Sequence, residues 1–202
     1  VRDEEGFMGK WYGDQRDMNF CAKLALHDLG RNSWPSLEDK YYEEIGNHSY
    51  VTAKNKINDV IDLVEVRAYD STTEKIRKLL QFLCDHLHYE LEVNNVYLAP
   101  TETLAFMSGD CDDFTTLGAT LFEAVGMDAA VGIFMNEKDE HHCMVLIHLE
   151  DLGGYRYWKY DDLTGKGLDE GRWIVIEPQY TLENQGNGWV HQWQLLYAAP
   201  IE

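Results

Sequence analysis

This 202-residue chain is short of positive charge: 17 Lys and Arg stand against 36 Asp and Glu, a formal net charge of -19. A surface of that sign repels phosphate backbones and anionic lipid headgroups, so nucleic acid is not an expected partner. Long hydrophobic runs are missing as well. Nothing approaches the roughly 18 consecutive apolar residues that cross a bilayer, and no signal peptide opens the chain. Membrane insertion by this segment is therefore not expected. Cysteine is sparse: Cys21, Cys84, Cys111 and Cys143 form no C-x-x-C pair and are too few for a disulfide scaffold, and Cys21 and Cys84 are expected to stay reduced. Internal repeats and low-complexity segments are also lacking. The first residue is Val1 rather than Met, as expected of a processed form or a domain excised from a longer precursor, and the acidic surface suits an extracytoplasmic or cell-surface setting.

What is present argues for a folded domain. Six Trp, twelve Tyr and 45% hydrophobic residues are the opposite of an acidic disordered chain and supply a sizeable core. Apolar residues recur at helical spacing from Ala53 to Val66 (Ile57, Val60, Ile61, Val64) and from Ser71 to His88 (Ile76, Leu79, Leu80, Leu83, Leu87). Ser71 followed by Glu74 predicts a capping box at the start of the second. Before them, a turn over Gly30 to Pro35 and a short acidic helix over Leu37 to Ile45 are expected, and Tyr97 to Met107 reads as a loop. Asp110 then N-caps a helix in which Asp113 holds the third position and Phe114, Leu117, Leu121 and Val125 form the buried stripe, until Gly126 ends it. Beyond Gly126 the period becomes extended. Ala129 to Met135, Cys143 to Leu149, Tyr155 to Tyr160, Trp173 to Glu177 and Trp193 to Ala198 read as five strands, and the acidic, glycine-bearing loops between them suit an antiparallel sheet. Helices packed on such a sheet make an α+β fold, with residues 1–70 as a helical extension and 71–202 as the core, together one compact unit.

The chemistry concentrates in Phe106-Met107-Ser108-Gly109-Asp110-Cys111-Asp112-Asp113-Phe114. A cysteine in the first turn of a helix sits where backbone N–H groups and the helix dipole favour a thiolate. Such a nucleophile needs a base, and His141-His142 opens the strand that runs through Cys143, Met144, Val145, Leu146 and Ile147. Alternation puts His142 with Met144 and Leu146 and puts Cys143 with Val145 and Ile147. If the second set faces the core, His142 is the base, His141 is its neighbour facing away, and Cys143 is a core residue. Glu177, ending an apolar strand just before Pro178, is the candidate acceptor for the second ring nitrogen. His86 and His88 suit a helix C-terminus and need no function.

Three blocks resemble the transglutaminase-like superfamily, which shares a papain-like core: Leu104 to Gly126 with its Gly-Asp-Cys-Asp-Asp-Phe, His142-Cys143-Met144-Val145, and Trp173-Ile174-Val175-Ile176-Glu177-Pro178. With the preceding helix the resemblance covers Ser71 to Thr181. It implies Cys111 as nucleophile, His142 as general base and Glu177 as the acid that orients it. Two positions depart from the family pattern: Met144 stands where an aromatic is usual and Glu177 where an aspartate is, one methylene shorter. A triad of this kind implies acyl transfer through a thioester on a protein or peptide substrate. Hydrolysis is the favoured outcome and amine transfer, as in a cross-linking transglutaminase, the alternative; a non-catalytic binding module or a calcium-dependent adhesive domain on the same fold is the rival outside enzymes. The oxyanion would be held by backbone N–H groups including that of Cys111, with Tyr89 and Tyr97 the candidate side chains. No cofactor is required. Asp110, Asp112 and Asp113 crowd negative charge around a group that must itself become negative, however, which raises a thiol's pKa unless a cation compensates. His142 as imidazolium is one source. The Asp-Cys-Asp-Asp run also resembles that of periplasmic cysteine proteinases of this superfamily with calcium beside the nucleophile, which makes Asp110, Asp112 and Asp113 candidate Ca²⁺ ligands.

Overall fold

The computed structural model describes residues 15–30, 50–91, 97–186 and 192–201. Among these residues are five helices, α1 (Gln15–Asp28), α2 (Tyr50–Leu63), α3 (Thr72–His86), α4 (Pro100–Phe106) and α5 (Cys111–Ala124), of which α1 and α5 lie against a five-stranded sheet and the others pack on α5. The strands of the sheet are β3 (Ala129–Met135), β4 (His141–His148), β5 (Trp158–Tyr160), β6 (Trp173–Ile176) and β7 (Gln194–Pro200), in the order β5-β6-β4-β3-β7. Every neighbouring pair is antiparallel, and the architecture is the expected α+β one. Two further two-residue strands, β1 (His88–Tyr89) and β2 (Ser108–Gly109), pair in parallel beside the start of α5.

Alternation along the strands sorts the core into two layers. Val131, Ile133, Cys143, Val145, Ile147, Ile174 and Ile176 face the helices, where they meet Leu79, Leu83, Phe114, Leu117 and Leu121. Phe134, Met144, Leu146, Val175, Trp193 and Leu195 form the layer on the opposite face. Helix α5 differs from its expected form. Instead of one buried stripe it is buried from Cys111 to Glu123 on all sides, because the sheet covers one flank and α1, α3 and α4 pack on the rest. Two of its buried polar residues bond internally: Thr120 Oγ1 donates to the Thr116 carbonyl at 2.7 Å and Glu123 accepts the Ala129 N–H at 2.5 Å. Gly118 permits the close approach, since an added Cβ there would stand 3.3 Å from Val145 Cγ2 and 3.4 Å from Pro178 Cβ.

Two expectations are corrected and one helix is added. Within the expected helical extension stands a helix not assigned from the sequence, α1, whose Met18, Cys21, Ala22 and Ala25 join the same core as α5. The Tyr97 to Met107 segment is not wholly loop: Pro100 pre-sets the first turn of α4 and Glu102 reaches back to accept the Ala99 N–H at 2.8 Å. At the start of α3, Ser71 accepts the Glu74 N–H at 3.2 Å, but the Glu74 carboxylate goes to Arg77 at 2.6 Å rather than closing a capping box. The expected helix over Leu37 to Ile45 and the turn beyond Gly30 lie outside the described residues. All four cysteines are free thiols.

Candidate active site

The N-terminus of α5 is built by carboxylates. Asp110 is extended and its Oδ1 accepts the Asp112 N–H at 3.2 Å, while Asp113 returns to accept the Asp110 N–H at 3.1 Å. The other Asp113 oxygen accepts the Leu98 N–H at 2.8 Å and ties the segment before α4 to the helix start. Gly109 belongs there for space: a Cβ would sit 2.6 Å from the Asp113 side chain. This clamp sets Cys111 at the first helical position, 6% exposed, at the end of the helix where the dipole favours negative charge.

Three residues of β4 and the segment after β6 converge there. His142 Nε2 meets Glu177 Oε2 at 2.5 Å, with both side chains at most 5% exposed. Register explains the meeting. The β4–β6 ladder ends at Val145 and Ile176, so Glu177 falls opposite Met144 and lies diagonally from His142 on the same face. Glu177 is itself held. Its Oε1 accepts the Gln179 N–H at 3.1 Å, and the buried Gln185 side chain accepts the Glu177 N–H at 2.9 Å and donates to the Glu177 carbonyl at 2.7 Å. Trp193, at the entry to β7, packs its ring 5.4 Å from the imidazole. His142 is thus buried at the site.

With Nε2 committed to Glu177, Nδ1 is the ring nitrogen left to face the start of α5, where His142 and the Cys111 thiol shift one another's titration. Cys143, the next residue of β4, turns its side chain toward the helical layer and is a further influence on the Cys111 thiol. The Cys143 hydrogen bond and the charge and hydrogen bond of His142 together outweigh burial and hold the Cys111 thiol well below its ordinary range. Burial alone would depress His142, but the Glu177 charge and the bonds to Cys111 and Glu177 push it up to about 10. The opposite shifts of Cys111 and His142 run in the sense that offsets the charge of the three aspartates. His141, one residue earlier, is only partly buried and pairs across to Met135.

Of the candidate oxyanion side chains, Tyr89 lies in β1 opposite Gly109 with its ring 6.2 Å from Phe114, one helical turn past Cys111. Burial and the neighbouring charges of Cys111, Glu177 and Asp112 push its phenol upward, so it remains a donor. Tyr97 packs against Phe20 at 5.8 Å instead. For a metal, one oxygen each from Asp110 and Asp112 and the Cys111 sulfur lie within 4.8 Å of one another. Two carboxylates suit a hard cation and a sulfur does not, while Asp113 already spends both oxygens on backbone amides, so Asp110 and Asp112 are the pair that fits Ca²⁺. Cys143, Gln185 and Trp193 were not singled out from sequence; only the alternation that turns Cys143 toward the helix start carried a signal.

A model of the transglutaminase-like superfamily matches residues 63–191. A search of the curated proteins finds no significant match. Among solved structures, Legionella pneumophila LapG superposes with a TM-score of 0.51 at 11% identity, over 79% of this chain and 80% of that one. Its calcium-bound form gives 0.50 at 11% identity, over 78% of each chain. A candidate cysteine protease of Cytophaga hutchinsonii gives 0.49 at 11% identity over 81% of this chain, which spans only 48% of that protein. At such identity the LapG likeness concerns the fold: helices on an antiparallel sheet with the papain-like arrangement. Among the described residues, no helix is long and apolar enough to cross a membrane.

Proposed function

The chain belongs to the transglutaminase-like superfamily, and from that premise we propose that it is a cysteine peptidase or amidase acting on peptide or side-chain amides through a thioester. The observation that carries this reading is the buried 2.5 Å contact between His142 and Glu177, with His142 among the influences that lower the Cys111 thiol. The Cys111 thiolate attacks the carbonyl carbon, and His142 gives its proton to the departing amine. His142 then takes a proton from the attacking water that releases the acid. Glu177 keeps the imidazole oriented and favours its charged form, as an acidic member of a triad does. The Cys111 N–H, a first-turn amide without an intrahelical acceptor, and the Tyr89 hydroxyl serve the tetrahedral oxyanion. Glutamate suits the acid position because its backbone is braced by Gln185, which sets the longer side chain at the reach His142 needs.

Calcium held by Asp110 and Asp112 would neutralise carboxylates beside the thiolate and rigidify the start of α5. Water as acyl acceptor gives hydrolysis, and a primary amine would give a cross-link. Incubating the protein with a peptide library, with and without a primary amine, and reading products by mass spectrometry tests both. Cleavage or deamidation that disappears in Cys111→Ala supports the hydrolase; amine incorporation in place of either supports the cross-linking alternative. Product formation no greater than in Cys111→Ala would remove the enzymatic reading.

A further inference from the structure

Strand edges are normally blunted, because a row of unpaired N–H and C=O groups recruits another strand. The main sheet follows that rule at β7, where Lys166 Nζ donates to the Leu196 carbonyl at 2.7 Å and Gln15 Nε2 to the Ala198 carbonyl at 2.8 Å. The short ladder at the start of α5 does not. The His88 and Glu90 N–H groups donate to the Met107 and Gly109 carbonyls at 2.9 Å each, which defines the inner edge of β1. Successive residues of an extended chain alternate, so Tyr89 turns its N–H and C=O to the outer edge, where no described residue bonds them. His88, Tyr89, Glu90 and Leu91 are all exposed. Tyr89 stands opposite Gly109, two residues before Cys111, and its ring turns toward Phe114 of α5. Leu91, 51% exposed, shares that side of the chain with Tyr89, while His88 and Glu90 share the other.

We propose that an extended segment of the substrate adds to the outer edge of β1 as a further strand, setting apolar side chains against Tyr89 and Leu91 and a basic one against Glu90. The proposal rests on the reading of Cys111 as the acyl-transfer nucleophile and names the class of peptide brought to it. Backbone bonds to Tyr89 hold the peptide whatever its sequence, and cross-strand neighbours then select among sequences. On the α5 side those neighbours are a tyrosine and a leucine, which favour apolar residues. On the other side Glu90 favours Lys or Arg, and the chain's charge of -19 draws a basic peptide from further away. The preferred segment therefore reads apolar, basic, apolar at successive positions. Because β2 leads through Asp110 into Cys111, a peptide paired with β1 is carried past the start of α5.

Synthetic peptide libraries of apolar-basic-apolar, apolar-acidic-apolar and scrambled pattern test it on the full chain. Binding is read with Cys111→Ala as hydrogen exchange at the Tyr89 amide, and turnover with wild type by mass spectrometry. Apolar-basic-apolar peptides at about ten times their Kd should slow Tyr89 exchange about tenfold, and methylating the peptide's backbone nitrogens should remove that protection. Glu90→Lys should move the preference toward acidic peptides by about fivefold, and Leu91→Asp should raise KM by about fivefold with kcat and Cys111 alkylation unchanged. Tyr69→Asp, at an aromatic 86% exposed between α2 and α3, should alter none of these. Peptides that wild type cleaves without protecting Tyr89, and with a preference that Glu90→Lys leaves in place, would overturn the added strand while the reaction stands. Tyr89 protection without turnover by wild type would uphold the strand and remove the reaction. A library in which no peptide protects Tyr89 would also overturn the proposal.

Discussion

Glu177 reaches His142 despite carrying one methylene more than the usual aspartate, because it lies past the end of the β6 ladder and is braced there by Gln185 and Gln179. Its charge is the leading influence that raises His142, opposing burial, to about 10. The sign is fixed by role: the working form needs Cys111 deprotonated and His142 protonated, so activity appears as pH rises through the lowered Cys111 value and fades as pH passes that of His142. Glu177→Gln removes the raising charge and keeps the shape. The alkaline limb of kcat/KM should then move to lower pH, and activity near pH 7 should drop by about 10²–10⁴ as the imidazole loses its orienting anion. A profile that overlays the wild type would remove Glu177 from the site. Tyr89→Phe should lower kcat by about 10²-fold with little change in KM, since an oxyanion donor acts only on the tetrahedral species. Alkylation of Cys111, which passes through no oxyanion, should be unaffected. At this scale Cys111, His142 and Glu177 could be picked out from sequence because each stands at the end of a patterned element. Cys143, Gln185 and Trp193 could not, because their contacts depend on register and loop paths that no local pattern encodes.

The start of α5 is a clamp in which Gly109, Asp110 and Asp113 depend on one another. Gly109→Ala forces a Cβ to within 2.6 Å of the Asp113 side chain, so either the cap or the preceding strand pair must yield. The expected cost is about 1–2 kcal/mol, visible as a lower denaturation midpoint. Asp113→Ala should cost about the same, and the double variant less than the sum, because both break one device. Full additivity would mean that the two residues act separately. Elements with long periods were legible from sequence: α2, α3 and α5 stand within a few residues of their expected spans, as do the five strands of the main sheet. Helix α4 was missed since seven residues show too little periodicity, though Pro100 and Glu102 were start signals in plain view. Helix α1 was missed because Met18, Cys21, Ala22 and Ala25 are small or unbranched and its polar residues blur the stripe. Helix α5 looked amphipathic only because Thr115, Thr116 and Thr120 read as polar, while the structure buries them.

Across the whole molecule the charge of -19 and the aspartates around Cys111 set the response to ions. If Asp110 and Asp112 hold calcium, adding Ca²⁺ at about 100 times its Kd should stabilise the fold by about 2.7 kcal/mol, with EGTA reversing the gain. Asp112→Asn should abolish that response, whereas a midpoint indifferent to calcium in the wild type would exclude the site. The central claim is that the fold holds Cys111 as a thiolate against His142, and the pH dependence of Cys111 alkylation by iodoacetamide tests it most directly. The prediction is fast labelling at neutral pH, with a midpoint well below the ordinary thiol value of about 8.5 and a return toward it in His142→Ala. Slow labelling of the wild type with an ordinary thiol midpoint, unchanged in His142→Ala, would contradict it.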